Sequence, residues 1–336
     1  MKLLIVTQVV DTEHPILGFF HRWIEEFAKH CEQVHVICLQ AGTHSLPENV
    51  TVHSLEKEAG SSRLKRLWLF YKYIWQLRHE YDNVFVHMNQ VYVILGGLLW
   101  RVWGKKIGLW YMHGTVSSSL KVAEKITHSI FSGSKKSFRL ASRKLLVTGH
   151  GIDTEHFCYS GEQKTFDLIT VGRIGQSKNL MVQIDVVKEL AEQGVDISLM
   201  VVGGAVTQAE KRYEGELHSY AKQCSLEDRI KFIGRVPQSD LPAMLSKAKV
   251  FVTTAQNGSL DKAILEAMSC GLTVVSIAPG AASLPLGSNQ VSTETQLTRQ
   301  IKKVLESGVF KNQTNAQYVK EHHSIKSLIP KILQRY

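Results

Sequence analysis

The sequence has few cysteines and lacks the spacings that hold small or metal-bound folds together. Five cysteines occur in 336 residues, and no two of them form a CxxC or CxxH motif; they are Cys31, Cys38, Cys158, Cys224 and Cys270. Disulfide frameworks and structural zinc sites need cysteines at close, regular spacings. The pattern argues against both and favours a protein of the reducing cytoplasm.

Long apolar runs are also missing. The run VYVILGGLLW at 91–100 is far shorter than the ~20 apolar residues of a membrane-spanning helix. The first residues, MKLLIVTQVV, are followed at once by Asp11 and Glu13, so they predict a strand rather than a secretory signal. We therefore expect no transmembrane helix.

Motifs of several other chemistries are absent from the sequence. There is no Asp-x-Asp pair that would carry a divalent cation and no GxSxG turn of serine hydrolases. RRM, KH and helix-turn-helix patterns are absent too, and neither repeats nor low-complexity tracts occur. We expect no metal, no serine chemistry and no nucleic-acid partner.

Acidic residues are scarce in one part of the chain only. Residues 1–150 hold nineteen Lys and Arg against eleven Asp and Glu, whereas the rest of the chain holds twenty-one against nineteen. Attraction to anions therefore belongs mainly to the first part, where charge alone would suit phospholipid, a phosphorylated acceptor or nucleic acid.

Short apolar runs, separated by segments of helical period, are what the sequence does contain. This alternation predicts parallel sheets with helical crossovers, and it restarts after residue 160. With 44% hydrophobic residues the chain can bury two cores. We expect two doubly wound α/β domains, joined by a hinge in the polar segment 151–166. The predicted strands lie near 3–10, 34–39, 84–88, 107–113, 144–149, 167–173, 197–203, 230–235, 250–255 and 272–277.

The segment SSRLKRLWLFYKYIWQLRHEY at 61–81 interleaves cations with aromatic residues. That pattern is typical of helices that lie in a lipid interface. It also fits an ordinary crossover helix whose core stripe is Leu64, Leu67, Tyr71 and Ile74, which is the favoured interpretation. Together with the basic cluster at 135–144, it makes an anionic membrane surface a candidate partner of the first domain.

One carboxylate stands inside an apolar helical pattern, in GSLDKAILEAMSCG at 258–271. For a helix over 260–269, Glu266 lies among residues that pack inward, and a buried carboxylate needs hydrogen-bond partners. A ligand with a diol would supply them. Asn257, Gly258 and Ser259 precede this helix and predict its N-cap, where free amides favour an anion.

Two cations follow the first strand of the second domain. In VGRIGQSKN, Arg173 comes just after the strand and Lys178 five residues later. Ligands of open α/β sheets bind at the carboxyl ends of strands, so this pair is placed to hold a diphosphate without metal, or else forms a solvated surface.

Three stretches together resemble the group 1 glycosyltransferases of family 4: GHGIDTEHF, DLITVGRIGQSKNL and the run from FIGRVPQSD to GLTVVS. The resemblance implies the GT-B fold, two Rossmann-like domains facing across a cleft. It implies an acceptor-side domain at 1–155, joined by a C-terminal helix near 318–336, and a donor-binding domain at 156–317. Pro330 is expected to interrupt that helix.

The resemblance also assigns roles to individual residues. Arg173 and Lys178 match the diphosphate clamp, and Glu266 matches the glutamate that accepts hydrogen bonds from the ribose. His113 matches the histidine that reaches the donor sugar, and with the two cations it completes the expected catalytic set. The remaining donor-binding matches are Gly18, Gly172, Arg235, Val236, Gly258, Ser259, Leu260, Asp261, Lys262 and Ala263.

The sequence departs from the family at Gly258. The family's motif is a glutamate, seven residues and a second glutamate, and Gly258 occupies the first position. The contact to the sugar hydroxyls is then either missing or made by Asp261 or Asn257.

The expected activity is metal-independent and retaining transfer of a sugar from a UDP- or GDP-sugar, without a cofactor, to a glycan or lipid-linked acceptor in cell-envelope assembly. Alternatives are an epimerase or hydrolase on the same scaffold, and a nucleotide-binding protein with weakened catalysis. A cytoplasmic protein, peripheral on the inner face of the membrane, would fit either acceptor.

Overall fold

The structure is a computed structural model that describes residues 1–14 and 16–336. It divides into two compact units. Unit 1 comprises Met1–Asp153 together with His322–Tyr336, and unit 2 comprises Thr154–Glu321. The first division falls inside the polar segment 151–166.

Unit 1 is built on a parallel sheet. In the described part of the chain its strands follow the order β3-β2-β1-β4-β5-β6-β7. Because the chain moves outward from β1 to β3 and then returns to β4 on the other side of β1, the strand order reverses between β1 and β4. The strands are β1 Lys2–Val10, β2 Gln33–Ala41, β3 Val50–Ser54, β4 Asn83–His87, β5 Lys106–Trp110, β6 Ser129–Ser132 and β7 Leu145–Val147.

Helices cover both faces of this sheet, and the apolar residues of the strands point to both. One core contains side chains of α1 and α11 with those of β1 and β2, and the other contains side chains of α2, α3 and α4. Strands buried on both faces are mainly apolar, which is why the positions of most of these strands could be predicted. The helices are α1 Phe20–His30, α2 Arg63–Gln76, α3 Gln90–Val102, α4 Ser118–Ile126 and α11 Ile325–Leu333.

The buried stripe of α2 is not the one expected for a crossover helix. Ile74 is buried as expected, but Leu64 is 80% exposed, and Leu67 and Tyr71 are exposed as well. The helix packs inward through Leu69, Phe70 and Ile74 instead. The sequence offers two adjacent apolar stripes on this helix, and only one of them can face the sheet.

Unit 2 repeats the architecture with a smaller parallel sheet. Over the described residues its order is β10-β9-β8-β11-β12, and the reversal lies between β8 and β11. The strands are β8 Phe166–Val171, β9 Leu199–Val202, β10 Ile230–Gly234, β11 Ala248–Thr253 and β12 Thr273–Ser276. The helices are α5 Leu180–Glu192, α6 Gln208–Gln223, α7 Leu241–Ser246, α8 Lys262–Ser269, α9 Glu294–Ser307 and α10 Gln313–His322.

The helix predicted near 318–336 is two helices, and the break is not at Pro330. It lies at His323 and Ser324, where the Ser324 hydroxyl caps α11 by accepting a hydrogen bond from the Lys326 backbone N–H at 3.2 Å. Pro330 lies inside α11 and is tolerated because apolar residues on either side of it are buried in the unit 1 core. The cap therefore decides where the helix begins.

No helix among the described residues combines the length and the apolar character needed to cross a bilayer. All five cysteines are free thiols.

Candidate functional site

The candidate site of unit 2 lies where its strand order reverses. Loops that leave the carboxyl ends of β8 and β11 diverge at such a point and open a crevice, which is where open α/β sheets bind ligands. The loop after β8 runs from Gly172 to Asn179, and the loop after β11 runs from Thr254 to Asp261.

An ion pair joins the two loops: the Lys178 ammonium contacts the Asp261 carboxylate. Both side chains are about one-fifth exposed, at 19% and 22%. The Thr254 hydroxyl fixes the base of the same junction by donating to the carbonyls of Lys178 at 2.8 Å and Asn179 at 2.9 Å. Lys178 is thus held in place and already has an anionic partner.

Glycines let the loops after β8 and β9 approach each other. Gly203 has φ +133°, and a Cβ there would lie 1.9 Å from the Gly172 carbonyl oxygen. Gly172 has φ +146°, and a Cβ on it would lie 3.2 Å from the Lys178 ammonium. Neither position admits a side chain without rearrangement.

Arg173 is held by a carboxylate that caps a helix. Its Nε lies 3.0 Å from Glu210 Oε1, and Glu210 also accepts hydrogen bonds from the backbone N–H groups of Thr207 and Val206, each at 2.9 Å. These backbone bonds, with the nearby Arg173 charge, hold the pKa of Glu210 below its usual range. The Arg173 side chain remains 56% exposed and can reach a ligand.

Arg235 and Val236 follow β10 on the same edge of the sheet. The Arg235 guanidinium donates to the Ala205 carbonyl at 2.7 Å, which brings the loops after β9 and β10 together. Val236 is half-buried.

Glu266 is buried, as the sequence predicted, but protein groups satisfy it. The carboxylate is 5% exposed, and its Oε1 accepts from Gln238 Nε2 at 3.0 Å and from Lys262 Nζ at 2.8 Å. The Lys262 contact joins adjacent turns of α8. A ligand hydroxyl would add to this set of partners or replace one of them.

The start of α8 differs from the prediction. The helix begins at Lys262 rather than at 260, and its N-cap residue is Asp261 rather than Asn257, Gly258 or Ser259. Asp261 makes no side-chain cap hydrogen bond, because its carboxylate contacts Lys178 instead. The first amides of α8 are therefore not capped by this side chain.

Residues 258–260 form the loop in front of α8. Gly258 and Ser259 are half-buried, Leu260 is buried, and Ala263 lies in the first turn of the helix, also buried. A Cβ on Gly280 would lie 2.1 Å from the Ser259 carbonyl oxygen, so this loop packs tightly on the segment after β12.

The structure places the two other predicted residues in unit 1. Gly18 follows β1, and a Cβ there would lie 2.8 Å from the carbonyl oxygens of His14 and Thr12, so the local fold itself requires glycine. His113 lies three residues beyond β5, is exposed, and accepts a hydrogen bond from the Thr115 backbone N–H at 3.1 Å.

Sequence reasoning missed the groups that hold these residues. Glu210 could have been found, because Thr207 and Glu210 have the spacing of a capping box. Gln238 and Thr254 carried no such signal. In unit 1 the buried His87, at the end of β4, was also missed; its ring stacks on Phe20 with centroids 3.9 Å apart.

Among the described residues, no group of three or more histidine, cysteine or acidic side chains is arranged to hold a metal ion.

Two family models match the chain. The model of glycosyl transferases group 1 matches residues 152–322, a little over half of the chain, and the glycosyl transferase 4-like model matches residues 14–144.

Curated relatives match a more limited region. The putative colanic acid biosynthesis glycosyltransferase WcaL of Salmonella typhimurium is 28% identical over 156 residues, which are 44% of this chain and 37% of WcaL. The GDP-Man:Man(3)GlcNAc(2)-PP-Dol alpha-1,2-mannosyltransferase of Caenorhabditis elegans is 23% identical over 172 residues, 48% of this chain and 37% of that protein. The chain thus spans little more than a third of the length of these relatives.

The fold has a full-length counterpart among solved structures. HepE of Anabaena, solved in complex with UDP, superposes with a TM-score of 0.79 at 20% identity and covers 99% of both chains. The two parallel-sheet units are therefore those of the GT-B fold, as predicted. With the match to the family model over more than half of its length, the chain belongs to the group 1 glycosyltransferases.

Proposed function

We propose that the chain transfers a sugar, with retention and without metal, from a UDP- or GDP-sugar to a glycan or lipid-linked acceptor in cell-envelope polysaccharide assembly. The observation that carries the proposal is the Lys178–Asp261 pair at the strand-order reversal of unit 2. It lies on the edge of the sheet that also presents Arg173 and Arg235. We further propose that the protein works in the cytoplasm and needs no cofactor.

The charges of the site suit a diphosphate. Lys178 and Arg173 are each matched by one carboxylate, Asp261 and Glu210 respectively. A nucleotide diphosphate would replace Asp261 as the partner of Lys178 and would use the exposed face of Arg173. Hydrogen bonds between such cations and phosphate oxygens are among the strongest in proteins.

The proposed reaction breaks the bond between the anomeric carbon and the β-phosphate oxygen. Negative charge then develops on that phosphate, and Lys178 and Arg173 are placed in advance to stabilise it, a contribution of several kcal/mol where water is excluded. The acceptor oxygen bonds to the anomeric carbon on the same face, and its proton passes to the leaving phosphate. No protein nucleophile is used.

The remaining residues would bind the donor. Glu266 would accept hydrogen bonds from the ribose, with Gln238 and Lys262 orienting its carboxylate. Asp261, released from Lys178, would meet the sugar hydroxyls in place of the glutamate missing at Gly258. Val236 and Arg235 would lie beside the base, and residues 258–263 near the phosphates.

The comparisons support a nucleotide-sugar donor without choosing the base. HepE has been solved with UDP and with UDP-glucose, whereas the relative from Caenorhabditis elegans is named for a GDP-mannose donor. WcaL is named for colanic acid biosynthesis, which supports a polysaccharide product.

A panel of thermal shifts with UDP, GDP and ADP, followed by mass spectrometry of the nucleotide sugar, tests the proposal. We expect one nucleotide to stabilise the protein and its sugar conjugate to be consumed with acceptor present. Lys178→Ala should lower turnover by more than roughly tenfold, while Lys188→Ala, on the exposed side of α5, should not. A loss of less than tenfold in Lys178→Ala would contradict the diphosphate clamp.

A second candidate function is nucleotide binding with weakened catalysis, which Gly258 favours. Stabilisation by a nucleotide without consumption of any nucleotide sugar would support it. Consumption without acceptor would instead indicate a hydrolase or an epimerase.

A further inference from the structure

A groove in unit 1 lies between α2, α3 and the ends of three strands. Its walls are apolar and come from β2, from the residue after β3, and from both helices: Leu39, Leu55, Leu67, Phe70, Val91 and Leu95. Leu55 directly follows β3 and Asn89 lies two residues beyond β4, so the groove opens at the carboxyl edge of the unit 1 sheet. Ligands of open α/β sheets bind at that edge.

Two guanidinium groups line the same groove. Arg63 and Arg66 stand three residues apart on α2 and share a face with Leu67 and Phe70, one turn further along. Across the described residues, neither guanidinium has a carboxylate within salt-bridge distance. The nearby Glu56 pairs with Lys65 at 2.5 Å instead. An apolar slot with two available cations at its side is complementary to an anion that carries a hydrocarbon chain.

The size of the groove limits what it can hold. Its volume is about 220 Å³, below the ~300–1,000 Å³ of pockets that enclose a small-molecule ligand. It therefore accommodates the first segment of a chain, and the rest of the ligand must lie outside.

The surface beside the groove is suited to the rest of such a ligand. Leu64, Trp68, Tyr71 and Trp75 form a second stripe on α2 and are 80%, 59%, 37% and 56% exposed. Lys72 lies over the Trp68 ring at 5.2 Å and Arg78 over the Trp75 ring at 4.5 Å. Exposed aromatic residues with adjacent cations are what a helix presents at a lipid interface.

We propose that this groove binds a lipid phosphate, with Arg63 and Arg66 on the phosphate, the first part of the hydrocarbon chain against Leu67 and Leu95, and the aromatic stripe in the membrane interface. The inference rests on the proposed function and deepens it, because it assigns the acceptor to the lipid-phosphate class. It also gives α2 both of the roles that its sequence suggested, packing through one stripe and exposing the other.

The test compares three probes on the full chain: dodecyl phosphate, uncharged dodecyl maltoside and inorganic phosphate, followed by the fluorescence of the exposed tryptophans and by calorimetry. We expect dodecyl phosphate to bind at least roughly tenfold more tightly than either of the others, because only it uses both the arginines and the apolar walls. Equal affinity for dodecyl phosphate and inorganic phosphate, or for dodecyl phosphate and dodecyl maltoside, would overturn the proposal.

Two variants test the arginines and the apolar part of the groove separately. Arg63→Gln with Arg66→Gln removes the cations, and Val91→Trp fills the groove from an exposed position. Each should weaken dodecyl phosphate binding by roughly tenfold. The control, Arg299→Gln with Lys303→Gln on an exposed face of α9, loses the same charge and should bind as the unmodified chain does. If the arginine variant matches this control, the proposal is wrong.

Vesicle flotation distinguishes a specific site from general attraction to charge. With phosphatidylcholine vesicles carrying dodecyl phosphate, the Val91→Trp variant should float less than the unmodified chain; unchanged flotation of that variant would count against the groove. The thermal shift with the nucleotide that stabilises the unmodified chain is measured in every variant. Its retention shows that the fold and the donor site are intact, so loss of dodecyl phosphate binding then concerns the groove alone. Failure of nucleotide binding in the unmodified chain would instead contradict the proposed function.

Discussion

At the scale of single residues, Asp261 is the unusual feature of the donor site. A carboxylate beside the cation that is proposed to bind a diphosphate would compete with that diphosphate. The same carboxylate stands three residues from Gly258, where the family has a glutamate. In the proposed function, Asp261 would therefore contact Lys178 in the free protein and the sugar in the complex.

The variant Asp261→Asn tests this competition. Without the carboxylate, Lys178 is available to the nucleotide, so we expect UDP or GDP to bind severalfold more tightly while turnover of the sugar donor falls. Titration calorimetry and steady-state kinetics measure the two effects. Asp196→Asn, which removes the carboxylate of a surface ion pair with Arg229 in the same unit, is the control. Weaker nucleotide binding in Asp261→Asn would show that the carboxylate supports the site rather than competing in it.

A second prediction at this scale concerns acid stability. Burial lowers the pKa of His87 from 6.5 to about 3, with the ring against Phe20 and Nδ1 3.3 Å from the Thr7 hydroxyl. The unfolded chain takes up this proton below pH 6.5 and the folded chain does not. Folding stability from this residue is therefore lost as the pH falls from 6.5 towards 3.

His87→Phe removes that proton site and should flatten the loss of stability between pH 6.5 and about 4. At neutral pH it costs roughly 1 kcal/mol, because the Thr7 hydroxyl loses a partner. Urea unfolding at several pH values measures both effects. The exposed His79 serves for comparison: if His79→Phe flattens the acid dependence as much as His87→Phe does, burial is not the cause.

At the scale of elements, two glycines of unit 2 differ in what a side chain would meet. A Cβ at Gly203 would clash with a neighbouring loop, whereas a Cβ at Gly215 would meet open space. Gly203→Ala would place a Cβ 1.9 Å from the Gly172 oxygen at a positive φ, so we expect a loss of roughly 2 kcal/mol or more and weaker nucleotide binding. Gly215→Ala in α6 meets open space and should stabilise the protein by about 0.5–1 kcal/mol. Urea unfolding of both variants measures the difference. Equal changes in the free energy of unfolding for the two variants would mean that the loops after β8 and β9 can move apart to admit the Cβ.

The elements also show what the sequence could and could not predict. Strands such as β1 and β8 were predictable because a strand covered on both faces is a mainly apolar run. The edge strand β3, VTVHS, is half-exposed and mixes polar with apolar residues, and β6 is only SIFS, so neither was predicted. The start of α8 was misplaced: the carboxylate of its N-cap residue, Asp261, contacts Lys178, 83 positions earlier in the chain, and no local pattern indicates that contact.

At the scale of the whole molecule, the fold was easier to predict than the site. Two series of alternating elements are enough to specify two doubly wound units. The pairing of Lys178 with Asp261 instead follows from the strand order, which brings together the loops after β8 and β11. Local sequence patterns do not contain that order, so the predicted residues could be named while their partners could not.

Two core variants should report on the units separately. Ile329 in α11 belongs to the core of unit 1, and Ile301 in α9 belongs to that of unit 2. Each change to alanine should cost about 2–5 kcal/mol in its own unit. Hydrogen exchange measures this, with faster exchange in β1 for Ile329→Ala and in β8 for Ile301→Ala. Equal acceleration in both sheets by either variant would mean that the chain unfolds as one cooperative body.

The position of α11 has a consequence for synthesis on the ribosome. Four of its side chains, Ile325, Leu328, Ile329 and Ile332, complete a core whose other buried members lie between Leu3 and Phe131. All of unit 2 is translated between them, which takes on the order of ten seconds at ordinary elongation rates. During that time the apolar face of α1 that packs against α11 stays uncovered. Unit 2 can therefore finish folding before unit 1, and the first part of the chain is the part that would need chaperones.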